Sequence, residues 1–254
     1  MGAACGRIDR TYRLHTRVAD LLTNLVYTDD GITLKSSQTA TLDQIKPSTT
    51  GVDAAMEPTA PVTLIIHDEN ESQDANRTEV ALVEALLTAL DDPQPAETGI
   101  VTPHNAQKGR LNQRFSGSAT IDTVERFQGG ERNVMIISAT ASDPDYVRSE
   151  AEFLLNPNRL NVAMSRMKKK LVIVASKSVF EVTPPDADEF DQMLIWKRLY
   201  DALGMTADSP ATAVWDGEIG AFCSSAIEIP SGSENTALEI YALSADKNQN
   251  RGKQ

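Results

Sequence analysis

The sequence predicts an α/β domain with a mostly parallel sheet and helices on both faces. Three observations predict it. Short apolar runs alternate with stretches whose apolar residues recur at helical spacing; the connections between them are short; and Leu171–Ala175 is apolar at every position, as a strand covered on both sides is. With 254 residues and 41% hydrophobic content, the chain can bury one good core and a small appendage.

Val18, Leu21, Leu22 and Leu25 fall at helical spacing and predict a short amphipathic helix over 16–25. Residues 35–60, rich in Ser, Thr, Pro and Ala with little periodicity, read as a loop or flexible insertion. Val62–Ile66 is the first apolar strand. Asn76 and Glu79 resemble a capping pair, opening a helix that carries Val80, Val83, Leu86, Leu87 and Leu90 on one face. Gly99–Thr102 is the next strand, and Pro103, whose fixed φ suits a first turn, leads into a helix. Two further strands, Ala119–Asp122 and Val134–Ala139, flank a glycine-containing loop. Asn158–Arg166 reads as a helix and Leu171–Ala175 as a buried strand. A last helix over roughly 189–203 presents Phe190, Met193, Leu194, Trp196 and Leu203. Beyond it the chain turns polar, so 1–182 reads as the main domain and 183–254 as a C-terminal helix with a partly disordered tail.

A net charge of -12, from 36 acidic and 24 basic residues, repels phosphate in bulk. Contact with nucleic acid then has to be local and backbone-directed, or to operate at high salt, where the screening length falls to roughly 3 Å at 1 M. Few lysines and aromatics among many Asp, Glu, Ala and Thr suit the second. No apolar run is long enough to cross a bilayer and the N-terminus has no secretory pattern, so a cytoplasmic location without membrane contact is expected. Neither Cys5 and Cys223 nor His15, His67 and His104 have metal-ligand spacing, and no metal site is expected.

Three segments carry chemistry. In Tyr12-Arg13-Leu14-His15 a planar, permanently charged guanidinium stands beside an aromatic ring, a pair able to reach a phosphate and stack on a base; alone, such a pair is more often surface packing. From Thr120 to Glu131 a strand leads into a polar loop holding Gln128, Gly129 and Gly130. Open α/β folds bind ligands at such loops, where glycines permit close approach and Glu131 can accept hydrogen bonds from a ribose. The competing reading is a glycine hairpin. In Arg159–Arg166 the two arginines, seven apart, share a face of a helix and suit a phosphate, whereas Lys168–Lys170 suit a basic helix C-terminus favoured by the macrodipole.

Together these segments resemble landmarks of superfamily 1 helicases of the nonsense-mediated-decay type. Tyr12-Arg13-Leu14-His15 is similar to motif IV and Asn76-Arg77-Thr78-Glu79 to the Asn-Arg-Thr-Glu helix start. Gly99–Pro103 with Ala106-Gln107 is similar to the Ile-Thr-Pro-Tyr…Gln stretch, Thr123–Glu131 to motif V and Arg159–Arg166 to motif VI. Five landmarks stand in family order across 11–176. The resemblance implies a second RecA-like domain with a P-loop NTPase fold, the C-terminal motor of such a helicase. It implies that Tyr12 stacks on adenine, that Arg13 and Arg166 reach the γ-phosphate across a domain cleft, and that Gln128, Gly129, Glu131 and Arg159 line the nucleotide. Thr102, Pro103 and Thr123 would lie along single-stranded DNA or RNA.

Departures accompany the likeness. Thr11, His104 and Glu125 stand where the family has Gln, Tyr and Asp. No Gly-x-x-x-x-Gly-Lys-Ser/Thr loop occurs in the chain, so ATP and Mg²⁺ are expected only with a first RecA-like domain carrying Walker A and B motifs, and no hydrolysis by this chain alone. A helicase truncated, split or cut into gene fragments fits that expectation; a non-catalytic nucleic-acid or protein-binding module derived from a helicase is the alternative. Leu64–Glu69 imitates a strand ending in a metal-binding Asp-Glu pair, but in these helicases that pair belongs to the preceding domain, so Asp68 and Glu69 read as a solvated strand end.

Overall fold

Seven strands in the computed structural model form one sheet: β1 (Val62–His67), β2 (Thr98–Thr102), β3 (Thr120–Thr123), β4 (Arg132–Ser138), β5 (Met167–Ser176), β6 (Trp215–Glu218) and β7 (Ala237–Leu243). The described residues are 11, 14–27, 31–43, 45–127, 130–150, 157–182, 187–204 and 213–243, without the side chains of 157–160, 187–193 and 204. The spatial order is β3-β2-β4-β5-β1-β7-β6. Neighbours from β3 to β1 pair in parallel, and β7 and β6 continue the sheet antiparallel.

The helices are α1 (Thr16–Leu22), prolonged by a π-helical turn over Thr23–Tyr27, then α2 (Thr50–Ala55), α3 (Arg77–Thr88), α4 (Asn105–Phe115), α5 (Pro144–Ser149), α6 (Pro157–Met164), α7 (Ser178–Glu181), α8 (Ala187–Gly204) and α9 (Ile219–Phe222). Because successive strand side chains point to opposite faces, each central strand feeds two cores. Leu64, Ile66, Met135, Ile137, Leu171 and Ile173 pack with α1, α5 and α8. Ile65, Val134, Ile136, Val172 and Val174 pack with α2, α3, α4 and α9. The expected helix-covered, mostly parallel α/β sheet is the fold, and it is RecA-like. Among the described residues no helix is long and apolar enough to cross a membrane.

Two expectations about the chain's outer parts need correction. Within 35–60, Thr50–Ala55 is a helix whose Thr49 cap accepts from the Val52 amide and whose Gly51, Val52 and Ala55 are buried. A Cβ on Gly51 would stand 2.8 Å from Phe222 and 3.0 Å from Trp215, so glycine lets α2 lie against α9 and β6. Within 183–254, the segment after α8 is not all tail: β6, α9 and β7 complete the sheet, with Leu64 facing Tyr241 across the β1–β7 pair. The last helix itself, Ala187–Gly204, lies close to its expected span.

Lys168–Lys170 do not end a helix; they open β5, and their side chains part company. Lys168 pairs with Glu131 at 3.1 Å and Lys169 with Asp43 at 2.7 Å. Lys170 is fully buried, and its Nζ donates to the carbonyls of Glu57 and Ala60 and to the Thr63 hydroxyl at 3.1, 2.7 and 2.9 Å. Three acceptors match the protons of an ammonium, yet loss of hydration dominates and pulls the amine from 10.5 to about 7. Between those values the unfolded chain binds a proton that the folded chain does not. This lysine therefore makes stability rise with pH across the window, by at most about 1.4 kcal/mol per pH unit. Lys170→Met, which keeps an unbranched stem without charge, is expected to flatten that rise. Urea midpoints of both proteins below, within and above the window check it; parallel profiles would rule the assignment out.

Candidate functional site

Parallel strands share their ends, so the sheet has a carboxyl rim and an amino rim, about 20 Å apart along β4 at 3.3 Å per residue. The expected site residues divide between the two. Thr102 and Thr123 end β2 and β3 in register on the carboxyl rim, and the Val124 amide donates to the Thr102 carbonyl at 3.3 Å, joining the two following loops. The Thr102 side chain is fully buried with its hydroxyl on that of Thr140 at 2.8 Å, and Thr123 is buried as well. Neither threonine side chain faces a strand passing over the rim. Surface there comes from half-buried Pro103 and from exposed Asn105, Glu125 and Arg126.

Glu131 and Arg166 stand together on the amino rim, each directly preceding the residues Arg132 and Met167 that pair β4 with β5. The Arg132 amide donates to the Arg166 carbonyl at 3.0 Å. Helix α6 stops at Met164, and Arg166 lies in the turn behind it with its amide on the Ala163 carbonyl at 3.2 Å, so Arg166 stands just past the helix that was expected to carry it. Arg166 is half-buried, with a buried Nε that finds no hydrogen-bond partner among the described residues. Tyr12, Arg13, Gln128, Gly129 and the side chain of Arg159 lie outside the described residues.

The loop from Thr123 to Glu131 is no hairpin, because β2 lies between β3 and β4. It crosses from one rim to the other. Amides of Arg126 and Phe127 fold back onto the Thr123 carbonyl at 3.0 and 2.8 Å, and Gly130 takes φ +85°, a conformation that side chains rarely adopt. Arg132, which the sequence did not single out, clamps the loop's far end. Its guanidinium reaches the Glu131 carbonyl and the Thr120 hydroxyl, both at 3.2 Å, and sits 5.6 Å from the centre of the Phe127 ring.

Under the carboxyl rim lies a buried polar network that was also missed. Asn76 caps α3 by accepting from the Glu79 amide at 2.9 Å, as expected, but Glu79 does not return the bond in the manner of a capping box. Gln107 from α4 accepts from the Asn76 amide instead, at 2.9 Å. The fully buried Glu79 carboxylate accepts from the Thr140 amide at 3.0 Å and from the Ser138 hydroxyl, and lies 3.2 Å from His67 Nε2. Thr140 has φ +73°, strained for a β-branched residue, and its hydroxyl holds Thr102. One carboxylate thus holds the ends of β1 and β4, and through Thr140 the end of β2. The signal available was Glu79, readable from sequence as half of a capping pair, and Gln107, readable only as part of a family landmark.

The Asp68-Glu69 pair is not a simple solvated strand end. Asp68 is exposed and accepts from the Ala237 amide at 2.8 Å, whereas Glu69 accepts from Asn76 and Ser142, each at 2.7 Å. Both carboxylates have structural work, and among the described residues no group of His, Cys, Asp or Glu is arranged to hold a metal ion. Cys223 is a buried free thiol pushed up to about 12, chiefly by loss of hydration, so it stays protonated.

The carboxyl rim, the rim-to-rim loop and Arg166 fall inside a stretch, 3–178, that matches the model of an AAA domain. The chain is 29% identical over 197 residues to a regulator of nonsense transcripts 1 homolog from Arabidopsis thaliana, covering 70% of this chain and 15% of that protein. It is 30% identical over 196 residues to a putative regulator of nonsense transcripts 1 from Takifugu rubripes, covering 70% and 17%. Against the putative helicase MOV-10 of Gallus gallus identity is 29% over 160 residues, covering 50% and 16%. The chain spans about one sixth of the length of these curated relatives. With its motifs in order on a RecA-like sheet, the chain belongs to the AAA domain family, as a domain of the superfamily 1 helicase C-terminal type.

Proposed function

We propose that the chain is the C-terminal motor domain of an ATP-dependent helicase, lending Arg166 and Arg13 as arginine fingers to an ATP site that a first RecA-like domain completes. The supporting observation is Arg166 on the amino rim, beside Glu131, with no carboxylate partner among the described residues. A guanidinium there can meet an anion presented by a second domain. The chain itself lacks a phosphate loop, and Asp68 and Glu69 are engaged elsewhere, so the groups that cradle the β-phosphate and hold Mg²⁺ would come from the partner. ATP would supply the γ-phosphoryl group whose growing negative charge Arg166 neutralises. Pro103 and the backbone of the Thr102 and Thr123 loops would carry a single strand of DNA or RNA, and closure of the cleft would shift one domain against the other along it.

The test mixes the purified chain with a first domain bearing the phosphate loop and follows ATP turnover with and without single-stranded DNA or RNA. The chain alone is expected to be inactive and the mixture to turn over ATP faster with a strand present. A chain that binds strand but activates no such partner would be the derived binding module instead.

A further inference from the structure

A cavity of about 440 Å³ opens between α3 and α4, lined by Arg77, Arg110, Gln113, Arg114, Glu228 and Pro230 over a floor of Val80 and Ala81. In a chain of net charge -12 this wall is out of character: three guanidinium groups face one carboxylate. Arg114 is committed to Glu84 at 2.7 Å, whereas Arg77 and Arg110 pair with no carboxylate among the described residues. Arg77 is the first residue of α3, where aligned peptide dipoles add to its positive charge.

The placement of these cations decides what they meet. Both helices start at the carboxyl rim, and α4 leaves it directly after Pro103 and His104. At 1.5 Å per residue Arg110 lies about 8 Å beyond Asn105 along the axis, and Arg114 about 6 Å further. The charges therefore trail away from the rim in a row. The floor is two small aliphatic residues and no aromatic ring lines the wall, so the cavity has neither a deep apolar anchor for a peptide nor a platform for a base.

We propose that this groove takes the phosphate backbone of a single-stranded nucleic acid as it leaves the carboxyl rim, with Arg77 and Arg110 as sequence-independent contacts. The inference rests on the strand-binding reading above and extends it from the rim to a groove in whose lining only Arg77 belongs to a helicase landmark. Contacts of this kind position a strand without reading it.

The experiment measures binding of the full chain to labelled oligodeoxythymidylate across a salt series, using a short strand that spans only the rim and a long one that also reaches the groove. Each lost phosphate contact lowers the salt slope by about 0.7 for single strands, so Arg77→Ala with Arg110→Ala should lower it by about 1.4 on the long strand and leave the short strand unchanged. Arg148→Ala, an exposed arginine paired with Asp145, should behave as wild type on both. An unaltered slope on the long strand overturns the groove while leaving rim binding intact. No binding of either strand by wild type overturns the strand-binding reading and the groove with it. Capture of a polyglutamate peptide that the double variant loses, with strand binding unaltered, overturns the proposal in favour of an acidic protein partner.

Discussion

Arg166→Ala is expected to slow ATP turnover by the reconstituted two-domain protein by about 10³ to 10⁵-fold while leaving nucleotide affinity within a few fold. A loss of that size is about 4 to 7 kcal/mol of barrier, more than a ground-state ion pair near the surface supplies. It follows from where the guanidinium stands. Arg166 is held by its backbone to Arg132 at the start of the β4–β5 pair, so its side chain is presented by a rigid strand end, and stabilisation of developing charge depends on such preorganisation. Arg166→Lys should recover little, because a point charge does not reproduce the planar fork. Lys168, two residues on, is already paired with Glu131 near the surface, and Lys168→Ala should change turnover only a few fold. Single-turnover and steady-state assays on the three variants separate these outcomes; wild-type turnover by Arg166→Ala would remove the assignment.

Glu79→Ala is expected to destabilise the chain by about 3 to 5 kcal/mol. Its carboxylate has no exposure and serves three groups, the Thr140 amide, the Ser138 hydroxyl and His67; in the variant each loses this contact, and Ser138 keeps only the bond it accepts from Gln107 at 2.9 Å and a long one to the Thr140 hydroxyl at 3.5 Å. Thr140 adds to the loss. Its positive φ costs on the order of 1 to 3 kcal/mol and persists only where the surroundings over-determine it. Three fixing contacts would remain, the Asn76 amide group on its carbonyl at 3.1 Å, the Thr102 hydroxyl at 2.8 Å and the Ser138 carbonyl, which accepts from the Thr140 hydroxyl at 3.2 Å. Glu79→Gln, which can still accept from the Thr140 amide, should lose about half as much. Urea unfolding measures both; a loss under about 1 kcal/mol for the alanine variant would show that the network relaxes freely.

Much of the sheet could be read from residue order because the evidence for it is local. Val62–Ile66, Gly99–Thr102 and Leu171–Ala175 are short, largely apolar runs whose burial follows from composition, and the capped start of α3 needs only four residues to announce itself. What escaped notice depends on distant partners. Strand β7 alternates exposed and buried positions among polar neighbours and gains its place only by pairing with β1, far away in sequence. Helix α2 has six residues, too few for periodicity, and contains a glycine whose purpose is visible only beside Phe222 and Trp215. The lysine run misled because Lys170 hides among carbonyls supplied by the turn before β1. At the site, Thr102 and Thr123 could be placed on one rim from their strand ends, but the inward turn of the Thr102 hydroxyl could not, since Thr140 lies 38 residues on.

The antiparallel pair β6–β7 sets a limit on how the domain can be dissected. A fragment cut after α7 would keep every helicase landmark, yet it would strip the neighbour from β1 and bare an edge of six residues, all buried in the intact sheet, with a row of open amides and carbonyls. Such an edge invites pairing with another copy. The C-terminal strands therefore act as a guard rail along β1, and a fragment that keeps this edge paired extends through Leu243.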